Sequence, residues 1–300
     1  MPTNTADLKC ASSLEKTFLY EEVFGGSYFD EGVELPPAPT DDGRPQKTFN
    51  IIDVGANIGL FALYCLENTQ GHIGRLITIE PVKETYDLLL HNLDVFYDHN
   101  DTYLDVIPLR TGLTEKRKKT SDEFYVFPRA LGWSGRCEGV DREAIKRDLK
   151  TFISTSLDDP SARGLDLPRF VRTLAVLFKN YIPFLYGLLV TLATWVLMSG
   201  AKKVRCPTST LSEVVDAYIE DGETVGLLKI DVEGGELGVL KGMEARHWGL
   251  VDRLVVEVHL RNLGDVLQCI DAKGGFENVV AKQTDELQGT SLWMVYASRG

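Results

Sequence analysis

Ten residues, Ile51 to Leu60, limit what this chain can fold into more than any other stretch. Phe49 to Val54 is apolar and β-branched, the pattern of a strand buried on both faces of a parallel sheet, and Leu60 to Leu66 reads as a buried helix. The change of period falls at Gly55-Ala56-Asn57-Ile58-Gly59. Glycine has no Cβ, so it reaches positive φ and lets a ligand approach the backbone, while the unpaired N–H groups of the new helix face the space above the turn. Asp53, at the carboxyl end of the strand, sets a carboxylate beside that space.

A second strand, Arg75 to Ile79, ends in Glu80, and Pro81 then opens the helix Val82 to Phe96 where a missing N–H costs nothing. An acid there, about twenty residues beyond the glycines, is placed to accept both ribose hydroxyls of a nucleoside cofactor. Dinucleotide-binding folds share that acid, but the spacing from Gly55 to Gly59 is not the G-x-G-x-x-G that brings a backbone against a pyrophosphate. Gly226 to Glu236 is another apolar strand running into acids and glycines, and Arg253 to His259 is a third. Ligands of open α/β sheets lie outside the carboxyl ends of the strands, so Asp53, Glu80, Asp231, Glu233, Glu257 and His259 are expected to share one rim.

These residues resemble the FkbM-type S-adenosylmethionine-dependent methyltransferases. The matching segments are Asp53 to Gly59, Glu80-Pro81, Leu228 to Gly234 with Glu236, and Val255 to His259. Tyr20 to Phe24, Cys206-Pro207 and Thr210-Leu211 are similar to the branch acting on small-molecule natural products. The resemblance runs from about residue 17 to the end and implies a class I, Rossmann-like α/β fold. That fold has a mainly parallel seven-stranded sheet, closed here by an antiparallel C-terminal strand pair, Phe276 to Ala281 with Ser291 to Ala297, and interrupted by an inserted hydrophobic helical segment. Residues 1–46 are then tail, cap and linker, and residues 47–300 the methyltransferase domain, with the insertion at about 138–204. The implied cofactor is S-adenosyl-L-methionine. The implied reaction moves its methyl group to a hydroxyl of a small, apolar metabolite. A nicotinamide-dependent oxidoreductase and a catalytically idle, membrane-associated binding protein are the alternatives from other classes.

On that resemblance Glu80 holds the ribose, Gly55 and Gly59 crowd the methionine portion, and Asn57 supports the turn or touches the cofactor's carboxylate. Asp53 acts through water or the cofactor's amino group, and Thr111 and Gly112, after the third strand Asp105 to Leu109, meet the adenine. Glu233 and Trp133 face the acceptor. His259, with Glu257 in phase on its strand, is the expected general base because imidazole titrates near neutrality, and Asp231 orients the acceptor. No metal is assigned. His72, His91, His99 and His247 read as surface residues.

Composition narrows the partners. A net charge of −12 and a pI near 5.0 argue against a nucleic-acid partner, since the one basic cluster is Lys116 to Lys119. Five cysteines without a C-x-x-C pair suggest reduced thiols in a cytoplasmic setting. Residues 1–16 read as a polar tail lacking a secretory signal, residues 17–34 as a cap over the cofactor, and Leu35 to Gln46 as a Pro- and Gly-bearing linker.

Asn180 to Ala201 is an uncharged, mostly apolar run followed by Lys202, Lys203 and Arg205. Its length would reach across a bilayer, but it falls between strands three and four of one sheet, and crossing would divide that sheet between two sides of a membrane. The run is therefore expected to form a hydrophobic lid or helical hairpin kinked at Pro183 and Gly187, with peripheral membrane contact through 180–201 as the second expectation.

Overall fold

The computed structural model describes residues 8–10, 19–20, 23–25, 27–35, 49–69, 73–99, 105–116, 121–158 and 169–299. The tail, the linker and the basic cluster expected at 1–16, 35–46 and 116–119 fall largely outside the described residues. The chain begins with β1 (Phe49–Val54), α1 (Leu60–Thr69), β2 (Ile73–Ile79), α2 (Lys83–His99) and β3 (Asp105–Leu109). Short strands β4 (Gly112–Leu113), β5 (Ser121–Val126) and β6 (Gly135–Arg136) follow, then helices α3 (Arg142–Asp158), α4 (Arg169–Tyr181) and α5 (Pro183–Met198). The remainder is β7 (Lys202–Ser209), α6 (Leu211–Tyr218), β8 (Val225–Ile230), α7 (Glu236–Lys241), α8 (Ala245–Trp248), β9 (Arg253–His259), α9 (Leu260–Lys273), β10 (Asn278–Lys282) and β11 (Leu292–Ser298).

The main sheet has seven strands in the order β10-β11-β9-β8-β1-β2-β3. β1, β2, β3, β8 and β9 pair in parallel, and β11 runs antiparallel to both β9 and β10. This is the mainly parallel sheet with an antiparallel C-terminal pair expected from the sequence. Strand periodicity explains its two cores. Ile51, Leu76, Leu227 and Val255 face the layer of α1, α2 and α3, while Ile52, Ile77, Leu228 and Val256 face α6, α7 and α9. Every residue of β1 and of β8 is buried, as central parallel strands require.

A second sheet, β4-β7-β5-β6, stands beside the first and has no clear signal in the sequence. β7 pairs antiparallel with β5 along its first six residues and then parallel with β4. Its sequence, KKVRCPTS, is too polar to signal a strand. The three insertion helices lie between β6 and β7 and share a small core of Ile153, Leu157, Ala175 and Val190. The expected break falls at Ile182-Pro183, between α4 and α5, whereas Gly187 lies within α5. Among the described residues no helix is long and apolar enough to cross a membrane. α3 is tied to the body by Asp148, whose carboxylate accepts the Ser291 N–H at 2.9 Å and its hydroxyl at 2.5 Å.

Candidate functional site

β1 and β2 both end at one turn. The N–H groups of Gly55 and Ala56 donate to the Ile79 carbonyl at 2.9 and 3.0 Å, and the Asp231 N–H donates to the Val54 carbonyl at 2.9 Å. Gly55 has φ +82° and sits so close to the Asp231 carbonyl that a Cβ would overlap it. Asn57, at φ +49°, also takes the left-handed conformation. Its N–H donates to Glu80 Oε2 at 3.2 Å, and the Val82 N–H donates to Oε1 at 2.9 Å. Glu80 is buried at the end of β2, and burial lifts its pKa to about 7 despite those two hydrogen bonds.

A chamber opens above this turn. Gly55, Asn57, Glu80, Thr111 and Gly112 line its floor, with Asp231, Glu233 and Glu257 on one side. Gly112 is pressed against the ring of Phe124. Apolar lining also comes from outside the main sheet, from Leu131 and Trp133 before β6, Leu149 and Phe152 of α3, and Leu197 of α5, and Arg129 and Arg136 line the chamber as well. Segment 135–139 folds onto the turn after β8, where a Cβ at Gly139 or Gly234 would meet the other's backbone carbonyl.

Three expected site residues stand behind the chamber. Asp53 is completely buried beneath the turn as an ion pair with Lys229, 3.2 Å away, so it does not reach a ligand directly. Gly59, at φ +91°, packs on Leu89 of α2 and is a packing glycine.

His259 requires the larger correction. Its Nδ1 lies 2.9 Å from Glu236 Oε1 and its Nε2 3.3 Å from Glu233 Oε2, so Glu233 and Glu236 hold the ring in place of Glu257. Burial works against the charged form, but hydrogen bonds and charge from both carboxylates outweigh it and lift the pKa to about 10. Both ring nitrogens thus face carboxylates, a setting that favours the charged ring over the neutral base expected from the sequence. Glu233 does line the chamber, and its own pKa is raised by burial against the lowering effect of His259.

Several further residues shape the site. Lys229 Nζ donates to the Gly55 carbonyl at 3.0 Å and lies 3.3 Å from Asp231 Oδ2 as well as beside Asp53. Tyr28, from the cap, donates its hydroxyl to Asp231 Oδ2 at 2.8 Å, and its ring lies beneath the Lys229 ammonium. A lysine inside the otherwise apolar run Gly226 to Ile230 was the available signal, because a buried ammonium needs partners. Glu236, 1% exposed, also accepts the Gly234 N–H and the Asn262 amide and so fixes the turn beneath Glu233. His247 is not a surface residue. It is buried, with Nδ1 2.8 Å from the Ser212 hydroxyl and Nε2 3.1 Å from Asp216.

Comparison with known proteins gives a consistent group. A model of the methyltransferase FkbM domain matches residues 181–277. Methyltransferase sdnD of Sordaria araneosa is 29% identical over 252 residues, covering 82% of this chain and 76% of that protein. The 31-O-demethyl-FK506 methyltransferase FkbM of Streptomyces tacrolimicus is 28% identical over 306 residues, covering 99% of this chain and 95% of its own length. A crystal structure of methyltransferase FkbM from Methylobacillus flagellatus superposes with a TM-score of 0.46 at 14% identity, over 97% of this chain and 56% of the other.

Proposed function

We propose, from the premise that this chain belongs to the FkbM-type methyltransferases, that it binds S-adenosyl-L-methionine at the β1–β2 rim and methylates a hydroxyl of a small apolar molecule. The observation that carries this reading is Glu80, a buried carboxylate fixed by two backbone N–H groups and turned to a chamber floored by Gly55. The residues present fit the cofactor. Asn57 Oδ1 is buried without a hydrogen-bond partner among the described residues, and Gly55, Thr111 and Gly112 line the chamber with it. Glu80, Gly55, Asn57, Thr111 and Gly112 are accordingly the groups that would hold it.

When bound, S-adenosyl-L-methionine supplies a methyl group already activated on a sulfonium. The protein then has to hold an acceptor in line, exclude water and take up a proton. Trp133, Leu149, Phe152 and Leu197 give an apolar wall suited to the first two tasks. Glu233 is the proton acceptor in this reading, because its raised pKa makes it a stronger base than an ordinary carboxylate and it borders the chamber. His259, held between Glu233 and Glu236, positions Glu233. An oxygen acceptor draws support from the relative whose name specifies 31-O-demethyl-FK506. The test is incubation of the protein with methyl-labelled S-adenosyl-L-methionine and an organic extract of host metabolites. Label should enter an organic-soluble product in an alkali-stable ether linkage; no labelled product, or label on nitrogen, would contradict the reading.

A further inference from the structure

α5 carries two apolar faces. Val190, Thr194 and Leu197 recur at helical spacing; the first two are buried, and Leu197 lines the chamber. Leu188, Leu192 and Trp195 recur at the same spacing two residues out of phase, hence on the opposite side, and are 55%, 58% and 66% exposed. Tyr181 and Phe184, at the α4–α5 break, are each 78% exposed and extend that side. So large an apolar surface on a folded chain marks a contact with something else.

Charge identifies the occupant. From Arg169 to Ser212 there is no Asp or Glu, yet the stretch holds Arg169, Arg172, Lys179, Lys202, Lys203 and Arg205, in a chain whose net charge is −12. Lys202 and Lys203 pair with Glu84 and Glu123 of the body; Lys179, which also lies over the Tyr186 ring, and Arg205 are exposed at the surface. We propose that the outer face of α4 and α5 docks on an anionic lipid surface, with Tyr181, Phe184 and Trp195 seated at the headgroup level and the cations toward the lipid phosphates. A second copy on this face would set like charges against each other. α5 is about 24 Å long, short of the roughly 30 Å hydrocarbon core, so the contact lies in the plane of the membrane. With its outer face on the lipid and Leu197 of its inner face on the chamber, α5 alone then separates the two, a short route for an apolar acceptor; this last point rests on the methyl-transfer reading, whereas docking does not.

Flotation of the full chain with phosphatidylcholine vesicles, with and without phosphatidylserine, tests the proposal. Binding should require phosphatidylserine, weaken at least tenfold in high salt, and fall at least tenfold in the triple variant Tyr181→Ser, Phe184→Ser, Trp195→Ser. If that variant does not fold, Lys179→Glu with Arg205→Glu should produce a loss of similar size without altering the apolar face. Absence of wild-type binding, binding unaffected by these substitutions, or a wild-type dimer that the triple variant splits while neither form floats would overturn it. Loss of cofactor binding by the wild type with flotation intact would count against the proposed methyl transfer alone.

Discussion

Lys229 Nζ lies 3.2 Å from Asp53 Oδ1, and both side chains are buried, 3% and 0% exposed. The pair joins neighbouring strands β8 and β1 directly under the glycine turn, and the same ammonium reaches the Gly55 carbonyl and Asp231. One lysine thereby links the glycine turn to the acidic rim. Burial raises the pKa of Asp53 against the lowering effect of Lys229, so the pair depends on both members.

Lys229→Met removes the compensating charge and should destabilise the fold by about 3–5 kcal/mol in denaturant unfolding. Adding Asp53→Asn should recover part of that loss. A single variant within about 0.5 kcal/mol of wild type would show that the pair is not coupled to the fold.

The environment of His259 predicts a pH dependence of stability. Its folded pKa of about 10 exceeds the ordinary 6.5, so its contribution is complete below 6.5 and is lost as pH rises toward 10. Wild type should therefore lose on the order of a few kcal/mol across that window, and His259→Gln should show a flatter profile. Equal slopes for the two proteins would contradict the imidazolium.

Glu233→Gln should lower kcat by about 10²–10⁴-fold with cofactor affinity nearly unchanged. The wild-type rate should rise with pH through a group above the ordinary carboxylate value of 4.5, and the variant should lose that limb. A limb that survives in Glu233→Gln but disappears in His259→Gln would return the base to the histidine.

The sheet and the glycine turn at its rim were legible because their signals are local. Ile51 and Ile52 alternate between two cores, Gly55 and Gly59 mark a turn within a few residues, and Glu80 follows its strand directly. What could not be read depends on distant contacts. Tyr28 meets Asp231 across 203 positions, and His259 acquires its charge from Glu236, 23 positions away. A histidine at a strand end carries no mark in sequence of two carboxylates waiting beside it. β7 was missed for a related reason: its polar residues are strand only because β5 and β4 offer partners on either side.

The burial of Glu80 also makes stability depend on pH. Its folded pKa of about 7 exceeds the ordinary 4.5, so its stabilising contribution is present below 4.5 and lost as pH rises through 7. Without ligand above pH 7, Glu80→Gln should be more stable than wild type by about 1–3 kcal/mol in thermal or urea unfolding. An equal or lower stability would show that the carboxylate is better solvated than its burial implies.

Titration calorimetry of S-adenosyl-L-methionine into wild type and Glu80→Ala tests the central claim most directly. The wild type should bind with one site per chain, and the variant, while folded, should bind at least about tenfold more weakly, a loss of roughly 1.5–3 kcal/mol. No wild-type binding, or equal affinity in a folded Glu80→Ala protein, would contradict a cofactor site at the β1–β2 rim.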